Sequence, residues 1–148
     1  MNVLALDTAT RTGWARLAPD GAVSSGVWEF PTSLDGAHFA AFRDQLSTAR
    51  RQWGIARVVY ERPGNFKSAA AAAVCCGLIA TLLVWCLDNG VEAEPVAPQT
   101  VKKNLTGKGN ANKDLVLARA VRKWPDQDIT DNNQADALAV LDWVRGRR

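Results

Sequence analysis

Asn2-Val-Leu-Ala-Leu-Asp7 runs directly into Thr8-Ala-Thr10-Arg11-Thr12-Gly13, an apolar run that ends on an acid and meets a stretch of turn composition. A run of this length, bounded in this way, predicts a buried strand. Trp14 to Leu17 and Val23 to Phe30 follow, mixing apolar and small residues around Pro19-Asp20-Gly21, whose chemistry is that of a tight turn. Together the three segments predict an antiparallel meander at the start of the chain.

Further along, the period changes. From about Leu34 to Trp53, Phe39, Phe42, Leu46, Ala49 and Trp53 recur every three or four residues with Arg43, Asp44, Arg50 and Arg51 between them, which predicts an amphipathic helix. Val58-Val-Tyr60 predicts another buried strand running into Glu61, and Arg62-Pro63-Gly64-Asn65 must leave it as a loop. Residues 69–87, AAAAAVCCGLIATLLVWCL, are uncharged and long enough for a membrane span. Their Ala-rich first half is only weakly apolar, so a buried helix ending before Asp88-Asn89-Gly90 is the expectation, with no membrane partner. Val91 to Ala97 alternates around Pro95 and fits an edge strand, while Leu115 to Trp124 and Gln134 to Val144 fit two last helices. The expected architecture is one α/β domain over residues 1–148, a mixed sheet flanked by helices.

Composition narrows the function classes. A chain of 148 residues with 47% hydrophobic and 22% charged residues is neither disordered nor fibrous and has the size of one domain. Cys75, Cys76 and Cys86 are odd in number and form no CxxC pair, which indicates neither a disulfide framework nor a zinc site. With no basic region before the first apolar run, a cytoplasmic location is expected. The net charge is only +3, but Lys102, Lys103, Lys108, Lys113, Arg119, Arg122 and Lys123 fall within 22 residues and are opposed only by Asp114. That concentration attracts phosphate. Within it, Thr106-Gly-Lys-Gly109 lets a backbone approach a phosphate closely without being a nucleotide-binding P-loop.

The acids carry the chemistry. Asp7 and Glu61 both fall at the C-terminal end of a predicted strand, where α/β folds place their working residues. Asp136 lies close to the apolar face of the last helix, and Asp131 sits near that helix's start, where it serves equally well as an N-cap. Carboxylates from two strand ends and a late helix form an oxygen-only donor set that suits Mg²⁺ or Mn²⁺. Metals so held activate water and stabilise the leaving oxygen in phosphodiester hydrolysis. The plainer alternative is a set of ordinary caps and solvated acids. His38, the one histidine, lies in the first helix and is expected to be a surface or structural residue.

Four blocks in order then give a likeness: Leu4-Ala-Leu-Asp7 with Gly13 after it; Val58-Val-Tyr-Glu61-Arg-Pro63; Val101-Lys102-Lys-Asn-Leu-Thr-Gly107-Lys-Gly109-Asn-Ala111-Asn-Lys113; and Ala135-Asp136-Ala-Leu-Ala139. The chain resembles the RuvC-type Holliday-junction resolvases of the ribonuclease-H-like superfamily, most of all their bacteriophage-encoded branch. The resemblance implies a ribonuclease-H-like fold and a Mg²⁺-dependent endonuclease, with Mn²⁺ substituting, that makes paired cuts in branched DNA as a homodimer. It implies that Asp7, Glu61 and Asp136 are metal ligands and that Lys102 and Lys113 meet junction phosphates or assist catalysis, with Lys103 and Lys108 beside them on the DNA. The cellular resolvases of the family usually have an acid three residues before the last one, where this chain has Asn133. Either Asp131 supplies the fourth carboxylate or Asn133 ligates as a neutral oxygen; Asp131 is preferred because losing a negative charge weakens a two-cation site. The family also places an aromatic wedge after the Glu-bearing strand, for which Phe66 is the nearest candidate and core packing its alternative. The small residues of 69–87 suit a dimer surface. Two other activities stay open, a related nuclease acting on flaps, forks or other branched DNA, and a junction-binding protein that does not cleave.

Overall fold

The computed structural model describes residues 1–31 and 36–147, so the expected helix start at about Leu34 lies outside the described residues. In chain order the elements are β1 (Val3–Asp7), β2 (Thr12–Leu17), β3 (Val23–Trp28), α1 (Gly36–Trp53), β4 (Arg57–Glu61), α2 (Ala69–Asn89), β5 (Glu92–Val96), α3 (Pro98–Thr106), α4 (Lys113–Lys123) and α5 (Asn132–Gly146). The strands form one sheet in the order β3-β2-β1-β4-β5. β1, β2 and β3 pair antiparallel, as the meander requires, whereas β1–β4 and β4–β5 pair parallel. The sheet is therefore mixed, and β5 with its Pro95 takes an edge.

Alternation along the strands divides the core in two. Leu4 and Leu6 of β1 and Val58 and Tyr60 of β4 face Phe42 and Leu46 of α1 and Leu78 and Leu82 of α2. Val3, Ala5 and Val59 face the other way, toward Leu138 and Leu141 of α5, with Val101 of α3 and Val116 of α4 closing that layer. α5 lies close to the sheet because its contact residues are small: Ala135, Ala137 and Ala139 are buried. At Gly13 the approach is closest, since a Cβ there would stand 1.8 Å from the carbonyl oxygen of Asn133. Only glycine lets the first turn of α5 rest on β2.

α2 corrects the expectation of a buried helix. Ser68 caps its start by accepting the Ala71 N–H at 3.1 Å, and Gly90 ends it in the left-handed conformation at φ 62°. Its Val74, Leu78, Leu82 and Trp85 are buried, but Leu83, Val84 and Leu87 on the opposite side are 44%, 60% and 83% exposed. By length and composition alone the helix is long and apolar enough to cross a membrane. The fold covers one face of it. Two smaller points complete the comparison. α3 was not foreseen, because its nine residues hold one apolar pair at helical spacing, Val101 and Leu105, too short a stretch to read a repeat from. His38 is structural: it is fully buried, and its Nδ1–H donates to the Pro31 carbonyl at 2.8 Å.

Candidate active site

Side chains alternate along a strand, so Asp7 shares the α5 face with Val3 and Ala5, and Glu61 shares it with Val59. β1 and β4 run parallel with Leu6 opposite Tyr60. Asp7 and Glu61 are thus the next pair along, on neighbouring strands about 4.8 Å apart. Asp136, in the second turn of α5, meets them from above the sheet.

Electrostatics register this convergence. Burial pushes the Asp7 carboxyl well above its ordinary range, and the charges of Asp136 and Glu61 push it further. Glu61 is raised to about 7 by burial and then by Asp136, and Asp136 to about 6, chiefly by burial. The opposing influence is the same on both sides of the cleft. Lys113 lowers Asp7, Lys102 lowers Glu61, and the two lysines together lower Asp136. Among the described residues no three acidic, histidine or cysteine side chains are already drawn into a closed cage around one point. The donor set nonetheless fits a hard cation: all its atoms are carboxylate oxygens, and a divalent ion relieves both their burial and their repulsion.

Lys102 of α3 and Lys113 of α4 line, with Glu61 and Asp136, a cleft of about 480 Å³. Lys113 is the first residue of α4, where the helix dipole disfavours a cation, so its position serves something other than helix stability. Asn112 performs the capping instead, its Oδ1 accepting the Leu115 N–H at 2.9 Å. Both lysine-bearing helices are fastened to the acid-bearing one through the buried Asp142 carboxylate, which accepts from Asn104 Nδ2 at 2.9 Å and pairs with Lys123 Nζ at 2.5 Å. Lys103 and Lys108 are exposed and lie outside the cleft lining. Thr106-Gly-Lys-Gly109 closes α3 rather than opening toward the acids: Gly107 is the left-handed cap at φ 82°, and the Lys108 N–H is taken by Thr106 Oγ1 at 3.1 Å.

Asp131 is the N-cap of α5, and both of its oxygens are in use. Oδ1 accepts the Asn133 N–H at 2.7 Å, and Oδ2 accepts from Arg11 Nη2 at 3.1 Å, while Arg11 also pairs with Glu29. It still stands near enough to raise Asp7 and Asp136, as the least of their neighbours. Asn133 gives its backbone to the cap and to the contact over Gly13. Phe66 is 40% exposed and belongs to neither core cluster.

No protein-family model matches the chain. Over 76 residues, 51% of the chain, it is 34% identical to the crossover junction endodeoxyribonuclease RuvC of Brachyspira hyodysenteriae, and the matched stretch spans 45% of that relative. Among solved structures, Thermus thermophilus RuvC in complex with a Holliday junction substrate superposes with a TM-score of 0.76 at 21% identity, covering 97% of this chain and 92% of that one. The chain has the RuvC fold. A second structure of Thermus thermophilus RuvC gives the same TM-score of 0.76 at 18% identity, covering 99% of this chain and 97% of that one. The yeast mitochondrial Holliday junction resolvase Ydc2 gives 0.65 at 12% identity, covering 95% of this chain and 76% of that one.

On this RuvC fold two further residues reach the cleft that sequence patterning did not single out, Arg62 and Gln99. The Arg62 N–H donates to the Val96 carbonyl at 2.9 Å, which extends the β4–β5 ladder by one bond and fixes its backbone beside Glu61. Its side chain is exposed and forms no ion pair among the described residues. Its place immediately after the strand-end acid was the one signal available. Gln99 sits on α3 and had none.

Proposed function

We propose that this chain is a metal-dependent, structure-selective endodeoxyribonuclease that resolves four-way junctions by paired phosphodiester hydrolysis, carried by one nuclease domain over residues 1–148 and acting in the cytoplasm. The observation that carries the proposal is the meeting of Asp7, which is buried, with the half-buried Glu61 and Asp136 on one face of a RuvC-like sheet, mutually repelling, beneath Lys102 and Lys113. Likeness to a curated RuvC over half the chain supports the same activity.

Asp7, Glu61 and Asp136 would hold Mg²⁺, for which Mn²⁺ substitutes, with Asp131 as the proposed fourth carboxylate and Asn133 as the neutral alternative. Bound there, the cation supplies Lewis-acid charge to the scissile phosphate and lowers the pKa of an attacking water. The rest falls to side chains of the chain itself. Lys102, Lys113 and Arg62 line the cleft and draw a phosphate over the acids, while Lys103 and Lys108 extend the positive surface along the strand. Asp142 keeps α3 and α4 in register with Asp136 and so keeps the lysines over the acids.

Paired cuts need two sites. The exposed Leu83, Val84 and Leu87, continued by the small Ala73, Cys76 and Ala80 toward the start of α2, offer a surface for a second copy. The test of the whole reading is substitution of the acids. Asp7→Asn, Glu61→Gln and Asp136→Asn should each abolish cleavage of a four-way junction and leave its binding intact; substantial cleavage by Asp7→Asn would sink the assignment.

A further inference from the structure

The two edges of the sheet are built differently. β5 carries Glu92, Glu94 and Pro95, and acids and a proline discourage further pairing, whereas β3 reads Val23-Ser-Ser-Gly-Val-Trp28 with neither. Which backbone groups of β3 are free follows from its register. The Ala18 N–H donates to the Ala22 carbonyl at 2.9 Å, so that pair is hydrogen-bonded. Alternation then ties Ser24, Gly26 and Trp28 to β2 and turns the N–H and C=O groups of Val23, Ser25 and Val27 outward. A side-chain amide already covers the first of these: Gln127 Nε2 donates to the Val23 carbonyl at 3.0 Å, while its Oε1 accepts from the Ser25 hydroxyl at 2.8 Å. Beyond Trp28 the chain turns toward α1, where Phe30 meets His38 and Phe42 edge-on. Among the described residues the outward N–H and C=O groups of Ser25 and Val27 meet no hydrogen-bond partner. The two sides of this edge differ in chemistry. On the α5 side, exposed Asp126 and Asp128 stand either side of Gln127 and join no ion pair among the described residues. On the α1 side the Trp14 indole crosses Gly26, where a Cβ would stand 3.0 Å from the ring, and packs on Trp28 and Trp53 at 6.1 and 5.1 Å.

We propose that the free edge of β3 is a docking site for an extended segment of another protein, added to the sheet as a further strand, with Lys or Arg at alternate positions and apolar side chains between them. The inference stands apart from the proposed function, since it needs neither metal nor DNA. Ser25 and Val27 offer two donors and two acceptors at the spacing of a strand, which selects an extended backbone. Residues paired with Ser25 and Val27 share their α5 face, and there a cation meets Asp126 and Asp128. The residue paired with Gly26 falls on the α1 face, where the missing side chain lets an apolar neighbour reach the Trp14 ring. A cation on that face is opposed by Arg16, which is held over Trp53 and bonded to Asn2 at 3.0 Å. The same acids disfavour the other occupants. Nucleic acid phosphates are repelled, and antiparallel pairing of two β3 edges sets the α5 faces side by side, acid against acid.

The test titrates the full chain with a capped hexapeptide that alternates valine with lysine, and with two relatives of it. One carries glutamate in place of lysine; the other is N-methylated on the backbone of its lysines, which keeps every charge and removes the donors that face the edge. Binding is read by hydrogen exchange of individual amides. The lysine peptide at saturation should slow exchange at Ser25 and Val27 by about tenfold or more, and both relatives should bind about tenfold more weakly. Val27→Pro removes an outward N–H and no bond of the β2 ladder, and should abolish the protection at Ser25. Asp126→Asn together with Asp128→Asn should weaken the lysine peptide by about threefold, since Asn accepts the left-handed φ of 49° at position 128. Equal binding of the lysine and N-methylated peptides, or protection away from Ser25 and Val27, would overturn the added strand, and if Val27→Pro melts early the N-methylated peptide decides. Equal binding of the glutamate peptide would overturn the basic partner. Protection of the same two amides by raised protein concentration alone, or by duplex DNA alone, would overturn the assignment in favour of a second copy or of DNA.

Discussion

Neutralising one acid should make the metal-free protein more stable while it destroys cleavage, and the sign of that effect depends on pH. A carboxyl whose pKa is raised by folding holds its proton more tightly folded than unfolded, so its contribution is fully present below the unfolded value and is lost as pH rises through the folded one. Glu61 rises from 4.5 to about 7 and Asp136 from 3.8 to about 6. At 1.36 kcal/mol per pKa unit each shift corresponds to about 3 kcal/mol, an upper figure because both carboxylates are partly open to solvent. The two figures also share one mutual repulsion and do not add. Metal-free wild type should therefore lose stability steadily between about pH 4 and pH 8. Glu61→Gln has no proton to lose there, and at pH 8 it should exceed wild type by about 2 kcal/mol, or about 4 to 8 °C in melting temperature for a chain of this size. Thermal or urea unfolding in EDTA at pH 4.5 and pH 8 measures it, and the difference should nearly vanish at the lower pH. Mg²⁺ should stabilise wild type at pH 8 by mass action and Glu61→Gln much less. A Glu61→Gln protein less stable than wild type at pH 8, or a difference that ignores pH, would refute the picture of acids pressed together for a cation.

Three further outcomes follow from named contacts. Asn caps a helix as well as Asp does, so Asp131→Asn keeps the start of α5 and removes only charge; its loss of cleavage should far exceed that of Asn133→Ala, and the reverse order would move the fourth ligand to Asn133. Lys102→Ala and Lys113→Ala should each reduce the slope of log affinity against log salt by about one, and unchanged slopes in both would remove the cleft from the DNA interface. Leu83→Glu or Leu87→Glu should yield a folded monomer by light scattering that nicks one strand, whereas Leu78→Glu or Leu82→Glu, at fully buried positions, should unfold the chain; dimers that survive both exposed substitutions would place the interface elsewhere.

The parts legible in the sequence are those that local pattern dictates. An apolar run ending in an acid placed Asp7 and Glu61 at strand ends, and period-2 alternation then put both on one face, so the fold had little freedom over where they meet. Asp136 was legible as an acid near an apolar helix face. α2 was legible as a helix but not in its environment, because a segment apolar all round carries no sign of which face the sheet covers. α3 escaped because its one apolar pair at helical spacing, Val101 and Leu105, spans too few residues for a repeat to be read. The double use of Asp131, capping α5 and holding Arg11, joins positions 120 residues apart in sequence.

Branch selectivity is the central claim, and cleavage of a matched panel tests it most directly: one sequence presented as a four-way junction, a flap, a fork and a linear duplex, with Mg²⁺ and with EDTA. Two symmetric cuts in the four-way junction with Mg²⁺, none with EDTA, and little or no cutting of the linear duplex is the expected result. Equal cutting of all four substrates, or a preference for flaps or forks over the junction, would contradict it.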